Sequence, residues 1–145
     1  MNIIGNRIHD KSFTVKCDCQ SELLEVGIDY YENRLDLIFY GNKSLRHNRS
    51  TTYFSTYKPH EFIKVCDDTH KLPEDVSPSY FKNSDGSIIE IYCFDINRLF
   101  GIALYENQKM LKREKCSWEI LLYEKDFEQF IADLKTLIDL GDNNG

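Results

Sequence analysis

One pattern limits this chain more than any other. Residues 87–106, SIIEIYCFDINRLFGIALYE, are two apolar, β-branched and aromatic runs parted by Asp95, Ile96, Asn97 and Arg98. Shifted back by 65 positions, the stretch falls on residues 22–41, ELLEVGIDYYENRLDLIFYG. Ile88, Ile89 and Ile91 then land on Leu23, Leu24 and Val26, and Phe100, Ile102 and Leu104 land on Leu35, Leu37 and Phe39. Glu90 and Tyr105 match Glu25 and Tyr40 outright. A period of two on both sides of a polar turn is the mark of a half-buried hairpin. The shared register reads as one structural unit used twice, or as two hairpins that converged on the same period.

The flanking sequence extends this pattern into meanders. Phe13, Val15, Cys17 and Cys19 alternate with Thr14, Lys16 and Asp18, which predicts a strand with one wet side ahead of the first hairpin. Trp118, Ile120 and Leu122 alternate likewise after the second. Phe127, Phe130, Ile131, Leu134, Leu137 and Ile138 follow helical spacing and make one apolar stripe that must be covered. Asp126 with Gln129 suggests a capping box, Gly141 a stop, and the last residues a frayed tail. The expected fold is therefore α+β: an antiparallel sheet of about six to eight strands with one C-terminal helix packed on it.

Residues 1–145 read as a single globular domain, long enough to bury a core. Residues 43–86 read as an irregular insertion between two β-meanders, because they hold Pro59, Pro73 and Pro78 and are rich in polar residues. Short strands are expected there at 51–57 and 62–66, with a long loop over 72–85. The N-terminus lacks the apolar core of a signal peptide, and no apolar run is long enough to span a membrane. Five cysteines without a disulfide framework fit a reduced, cytoplasmic protein.

Four kinds of chemistry compete for the polar residues. The first is structural zinc: Cys17 and Cys19 on one strand face, with Cys66 and His70 as a second pair. Against it, Cys17 and Cys19 continue an inward face on which free thiols pack as small hydrophobes. Cys93 and Cys116 read as packing residues.

The second is an anion-binding surface. Lys43, Arg46, Arg49 and Lys58 are interleaved with Tyr53, Phe54 and Tyr57, with no acidic residue from 41 to 60. Cations for phosphates and rings for bases are the two parts of a single-strand binding face. The offset aligns the segment after Tyr40 with the one after Tyr105, where Lys109, Lys112, Arg113 and Lys115 stand against Glu114. The bland reading is ordinary solvated lysine and arginine. The net charge of −6 argues against an indiscriminate coat protein but leaves a local basic site open.

Catalysis is the third, and nothing in the sequence matches a GxSxG elbow, a P-loop, GxGxxG or HExxH. His9, His47, His60 and His70 lie outside any such context, so no enzyme is expected. In the fourth, acidic residues on outward strand faces (Glu22, Glu25, Asp29, Asp36, Glu90, Glu119) seat the protein in a partner's basic groove, or simply keep the sheet soluble.

The opening Phe13-x3-Cys17-x-Cys19-x-Ser21-Glu22-x2-Glu25-Val26 resembles the start of small proteins carried by bacteriophages and mobile elements. The resemblance implies a phage-type binding protein that inhibits a host defence complex, of anti-CRISPR type, or one that assists phage nucleic-acid metabolism. Strands followed by a long C-terminal helix also resemble the single-strand-binding fold of transcription coactivator and Whirly proteins, whose lysine-rich strand has no counterpart here. The leading expectation is a non-enzymatic inhibitor occupying a host protein or protein–nucleic-acid complex. The alternative is a single-stranded nucleic-acid binder using the two basic loops. An exposed edge strand would also allow a homodimer.

Overall fold

A computed structural model describes residues 3, 9–16, 22–41, 50–71, 78–94 and 98–144. In chain order the elements are β1 (Lys11–Lys16), β2 (Glu22–Asp29), β3 (Arg34–Gly41), β4 (Ser50–Thr56), α1 (Pro59–Lys71), β5 (Ser79–Lys82), β6 (Ile88–Phe94), β7 (Leu99–Tyr105), α2 (Gln108–Lys112), β8 (Trp118–Tyr123) and α3 (Glu124–Asn144). The strands form two four-stranded antiparallel meanders, β1-β2-β3-β4 and β5-β6-β7-β8. The fold is α+β.

The two hairpins share a register as well as a pattern. Val26 faces Leu37 in the first and Ile91 faces Ile102 in the second, each pair related by the same offset. Asn33 and Arg98, equivalent by that offset, both take positive φ, 54° and 56°, beside the turn. Each meander is followed by a helix, and Pro59 and Glu124, the first residues of α1 and α3, are again 65 apart. Four strands followed by a helix occur twice, with the short α2 added between β7 and β8 in the second half.

The inward faces of both sheets share one hydrophobic core with α1 and α3. Its rings mark the joints. Phe39 meets Trp118 at 4.7 Å between sheets, Phe54 and Phe62 meet Phe81, and Phe100 stacks on Phe127 at 4.4 Å. The helices cross over. α1, which follows the first sheet, packs against β5 and β6, while α3 packs against β1 as well as β7 and β8. Tyr30 pins that second crossing by donating its hydroxyl to the carbonyl of Leu137 at 2.9 Å.

Several expectations need correction. Residues 62–66 are helix, and 43–86 carries β4, α1 and β5. Pro59 opens α1 because its missing N–H costs nothing in a first turn. Phe62, Cys66 and Thr69 then make a buried stripe, and the pairs Lys64–Asp68 and Asp67–Lys71 brace the outer face at i, i+4. α3 starts at Glu124, directly from β8, so the Asp126 box is not formed. Gln129 instead donates to Asp133 at 2.8 Å, and the helix continues through Gly141. Among the described residues no helix is long and apolar enough to cross a membrane.

Candidate nucleic-acid interface

The outward face of the first sheet is built around a buried acid. Asp36 accepts from His9 Nε2 at 2.8 Å, Ser55 Oγ at 2.6 Å and Arg34 Nε at 3.0 Å. Burial alone would raise its pKa, but the hydrogen bonds from Ser55, His9 and Arg34 outweigh it and hold the carboxyl below the usual 3.8. Asp36 was expected among acids free to meet a basic partner; it is buried and satisfied. Glu25 and Glu90 are likewise half-buried, accepting from Tyr40 at 3.0 Å and Tyr105 at 3.3 Å, an equivalent pair on each sheet. Burial and the facing carboxylate push both tyrosines up to about 12.

Alternation along β4 turns Phe54 and Thr56 inward, and leaves Tyr53 outward and 66% exposed. Tyr53 stands between two grooves. One, about 390 Å³, runs over Asp36 and is lined by His9, Glu25, Arg34, Tyr40, Ser55 and Tyr57. The other, about 600 Å³, lies between Thr52 and the β7–β8 connection, with Glu106, Asn107 and Ser117 on its far wall and Asp85 and Ser87 beside it.

That connection is a short, well-anchored element. Asn107 caps α2 by accepting from the Met110 amide at 3.0 Å. Met110 and Leu111 pack on the small cluster of Ile88, Ala103 and Tyr105. With the apolar pair facing the sheet, Lys109, Lys112, Arg113 and Lys115 all point to solvent. Glu114 takes φ 56° and turns the chain, and Ser117 donates its amide to Leu104 at 2.7 Å on return to β8. Among the described residues none of these four cations is held in an ion pair, whereas Arg34, Lys64, Lys71, Arg98 and Lys135 are.

The predicted surface is thus partly assembled. Tyr53 lines one groove whose far wall is the β7–β8 connection that carries the four cations, though none of the four lines the groove itself; Tyr57 and Lys58, both exposed, follow the end of β4. Lys43, Arg46 and Arg49 lie outside the described residues; the residues bracketing 42–49, Gly41 and Ser50, are paired at the sheet end where Phe39 meets Trp118. Arg34, Asn107, Ser55 and Ser117 were not anticipated. The alternation that put Asp36 outward also puts Arg34 beside it, and Asn107 two residues before basic Lys109 was a readable cap.

The predicted zinc set is not assembled among the described residues. Cys66 is fully buried in the core, and burial pushes its thiol well above the ordinary range. His70 lies at the end of α1 facing Glu124 and Glu128, not a thiol. Cys17 and Cys19 lie outside the described residues. Cys93 packs on the core, but Cys116 is exposed in the β7–β8 connection, contrary to expectation.

No family model matches the chain. It is similar to a segment of the RNA-directed RNA polymerase L of Chapare mammarenavirus, 26% identical over 135 residues, which is 93% of this chain and 6% of that polymerase. The polymerase L of Machupo virus is 25% identical over 92% of the chain, and that of Latino mammarenavirus 30% identical over 75%, again 6% and 5% of those proteins. These matches overturn the expectations of an anti-CRISPR-type inhibitor and of a non-enzymatic protein, since the relatives are viral polymerases. The chain spans about 6% of the length of the polymerases it matches, and what it is similar to is one segment of an RNA-directed RNA polymerase.

Proposed function

We propose that this chain is an RNA-contacting segment of polymerase type, holding single-stranded RNA along the groove between β4 and α2. The observation that carries this reading is the placement of exposed Tyr53 across one groove from the β7–β8 connection, where Lys109 and Lys112 of α2 and Arg113 and Lys115 after it have no ion-pair partner among the described residues. Phosphates are held by unpaired cations and bases by aromatic faces, and both are offered within one site. Asp85 beside the groove and Glu106 on its α2 wall would repel a phosphate lodged inside it. The backbone therefore runs over the outer, cationic side of the β7–β8 connection, with bases turned inward toward Tyr53. The overall negative charge does not oppose this, because screening at physiological salt limits distant charges to about 8 Å. Similarity to polymerases that are RNA-directed and make RNA supports RNA as the ligand.

The test is fluorescence anisotropy of labelled single-stranded RNA, single-stranded DNA and duplex RNA across a salt series. Affinity for single-stranded RNA should fall linearly with log salt, with a slope of about −0.7 per phosphate held. Changing Lys109, Lys112, Arg113 and Lys115 to Ala should remove most of that slope and leave Tm unchanged. Tyr53→Ala should cost about 1–3 kcal/mol of binding without altering the slope. Salt-insensitive binding, or affinity unchanged in the fourfold variant, would sink the reading.

A further inference from the structure

At the opposite end of β7 from the groove, three side chains converge where α1 ends and α3 begins. His70 Nε2 lies 3.1 Å from Glu128 Oε2 and 3.4 Å from Glu124 Oε2, and the three atoms lie within 4.8 Å of one another. Nε2 is out of contact with solvent, yet it makes no hydrogen bond of normal geometry to either carboxylate. A protonated imidazole paired with a carboxylate would close to about 2.7–2.9 Å along one N–H direction. Here one nitrogen stands between two oxygens at longer range, aligned with neither.

The 3.4 Å spacing of His70 and Glu124 is that of two ligands on one ion, and the 3.1 Å spacing to Glu128 needs only a small outward shift of an exposed side chain. Metal–ligand bonds of about 2.0–2.2 Å in a tetrahedron separate neighbouring ligand atoms by about 3.3–3.6 Å. The carboxylates are spaced i, i+4 on α3, so one helix face presents both, and His70 closes the set from another helix. Arg98 orients the acid: its Nε donates to Glu124 Oε2 at 2.7 Å and its Nη2 to the carbonyl of His70 at 2.8 Å, with the guanidinium 5.1 Å from the Phe100 ring centre. Ligating carboxylates are commonly held by such a donor, and an oxygen with two lone pairs serves both. Phe100 and Phe127 wall the imidazole at 5.8 and 6.2 Å.

We infer that His70, Glu124 and Glu128 form a three-ligand site for a first-row divalent ion of the zinc type, joining the C-terminal end of α1 to the N-terminal end of α3. One imidazole with two carboxylates suits Zn²⁺ or Co²⁺ better than a soft-ligand metal. Three protein ligands leave a position open to water. This site shares no residue with the sequence-level zinc set except His70, and it does not depend on the RNA reading.

The experiment uses the full chain, stripped of metal by chelator and titrated with Co²⁺ while visible absorption and Tm are followed. One equivalent should bind with d–d bands but no near-ultraviolet thiolate charge transfer, and should raise Tm by several degrees. Affinity should fall at least tenfold in His70→Ala and in Glu128→Gln, and stay unchanged when Cys17 and Cys19 are both changed to Ser. If His70→Ala does not fold, Glu128→Gln decides, because the Glu128 side chain is 54% exposed and not needed for the core. Absence of stoichiometric binding, a thiolate band, or affinity undiminished in Glu128→Gln would overturn the inference.

Discussion

Asp36 and Gly27 face each other across the β2–β3 pair, and each explains the other. A Cβ on Gly27 would overlap the ring of His9, so glycine is what lets the imidazole lie flat on the sheet and reach Asp36. The second sheet reverses the roles: Tyr92 occupies the place equivalent to Gly27 and lies over Gly101, which replaces Asp36. Gly27→Ala should displace His9 and cost about 1–3 kcal/mol in urea unfolding. Asp36→Asn should cost about 2–4 kcal/mol, since it leaves the Arg34 charge without its main counter-ion. The pH dependence follows from the depressed Asp36 pKa. Its contribution is fully present above the unfolded value near 3.8 and is lost as pH falls through the lower folded value. The acid limb of a stability–pH curve should therefore be shallower in Asp36→Asn than in the parent. Such a site is hard to read in a sequence. Asp36 sits on the polar side of an alternating strand, and alternation assigns a face without saying what covers it.

Among the elements, hairpins were legible and α1 was not, for a physical reason. A strand's period of two survives in any five residues, and the repeat at 65 gave the same message twice. In α1 the β-branched Ile63 and Val65 mimic an alternating run around Phe62, and Pro59 reads equally as a strand breaker or a first helical residue. The i, i+4 ion pairs were the signal that separates these readings. α2 is too short to show a period, and its position depends on two side chains. Leu111→Ser should loosen it from Ile88, Ala103 and Tyr105 at a cost of about 1–2 kcal/mol. If α2 presents its cations as a set, RNA affinity should fall in that variant although no charge has changed, which anisotropy at low salt would reveal.

For the whole molecule, the crossing of helices between sheets has a thermodynamic consequence. α1 packs on strands of the second meander and α3 spans strands of both, so the inward faces of the two halves are covered jointly. Calorimetric and van't Hoff enthalpies of unfolding should agree, and residues 1–77 and 78–145 made separately should lack a cooperative transition. Two transitions in the intact chain would mean that the shared core is less continuous than its contacts indicate. This sharing was not legible in the sequence, because the apolar stripe of a helix says that it must be covered but not by which sheet. The contact of Phe39 with Trp118 carries one more implication. Trp118 is the single tryptophan of the chain, buried where the two sheets meet and one residue from Ser117 of the α2 groove. The protein thus contains its own optical gauge: one tryptophan emission band, blue-shifted while the sheets stay joined, whose wavelength tracks their separation and whose intensity should change on adding RNA if the proposed groove is the one filled.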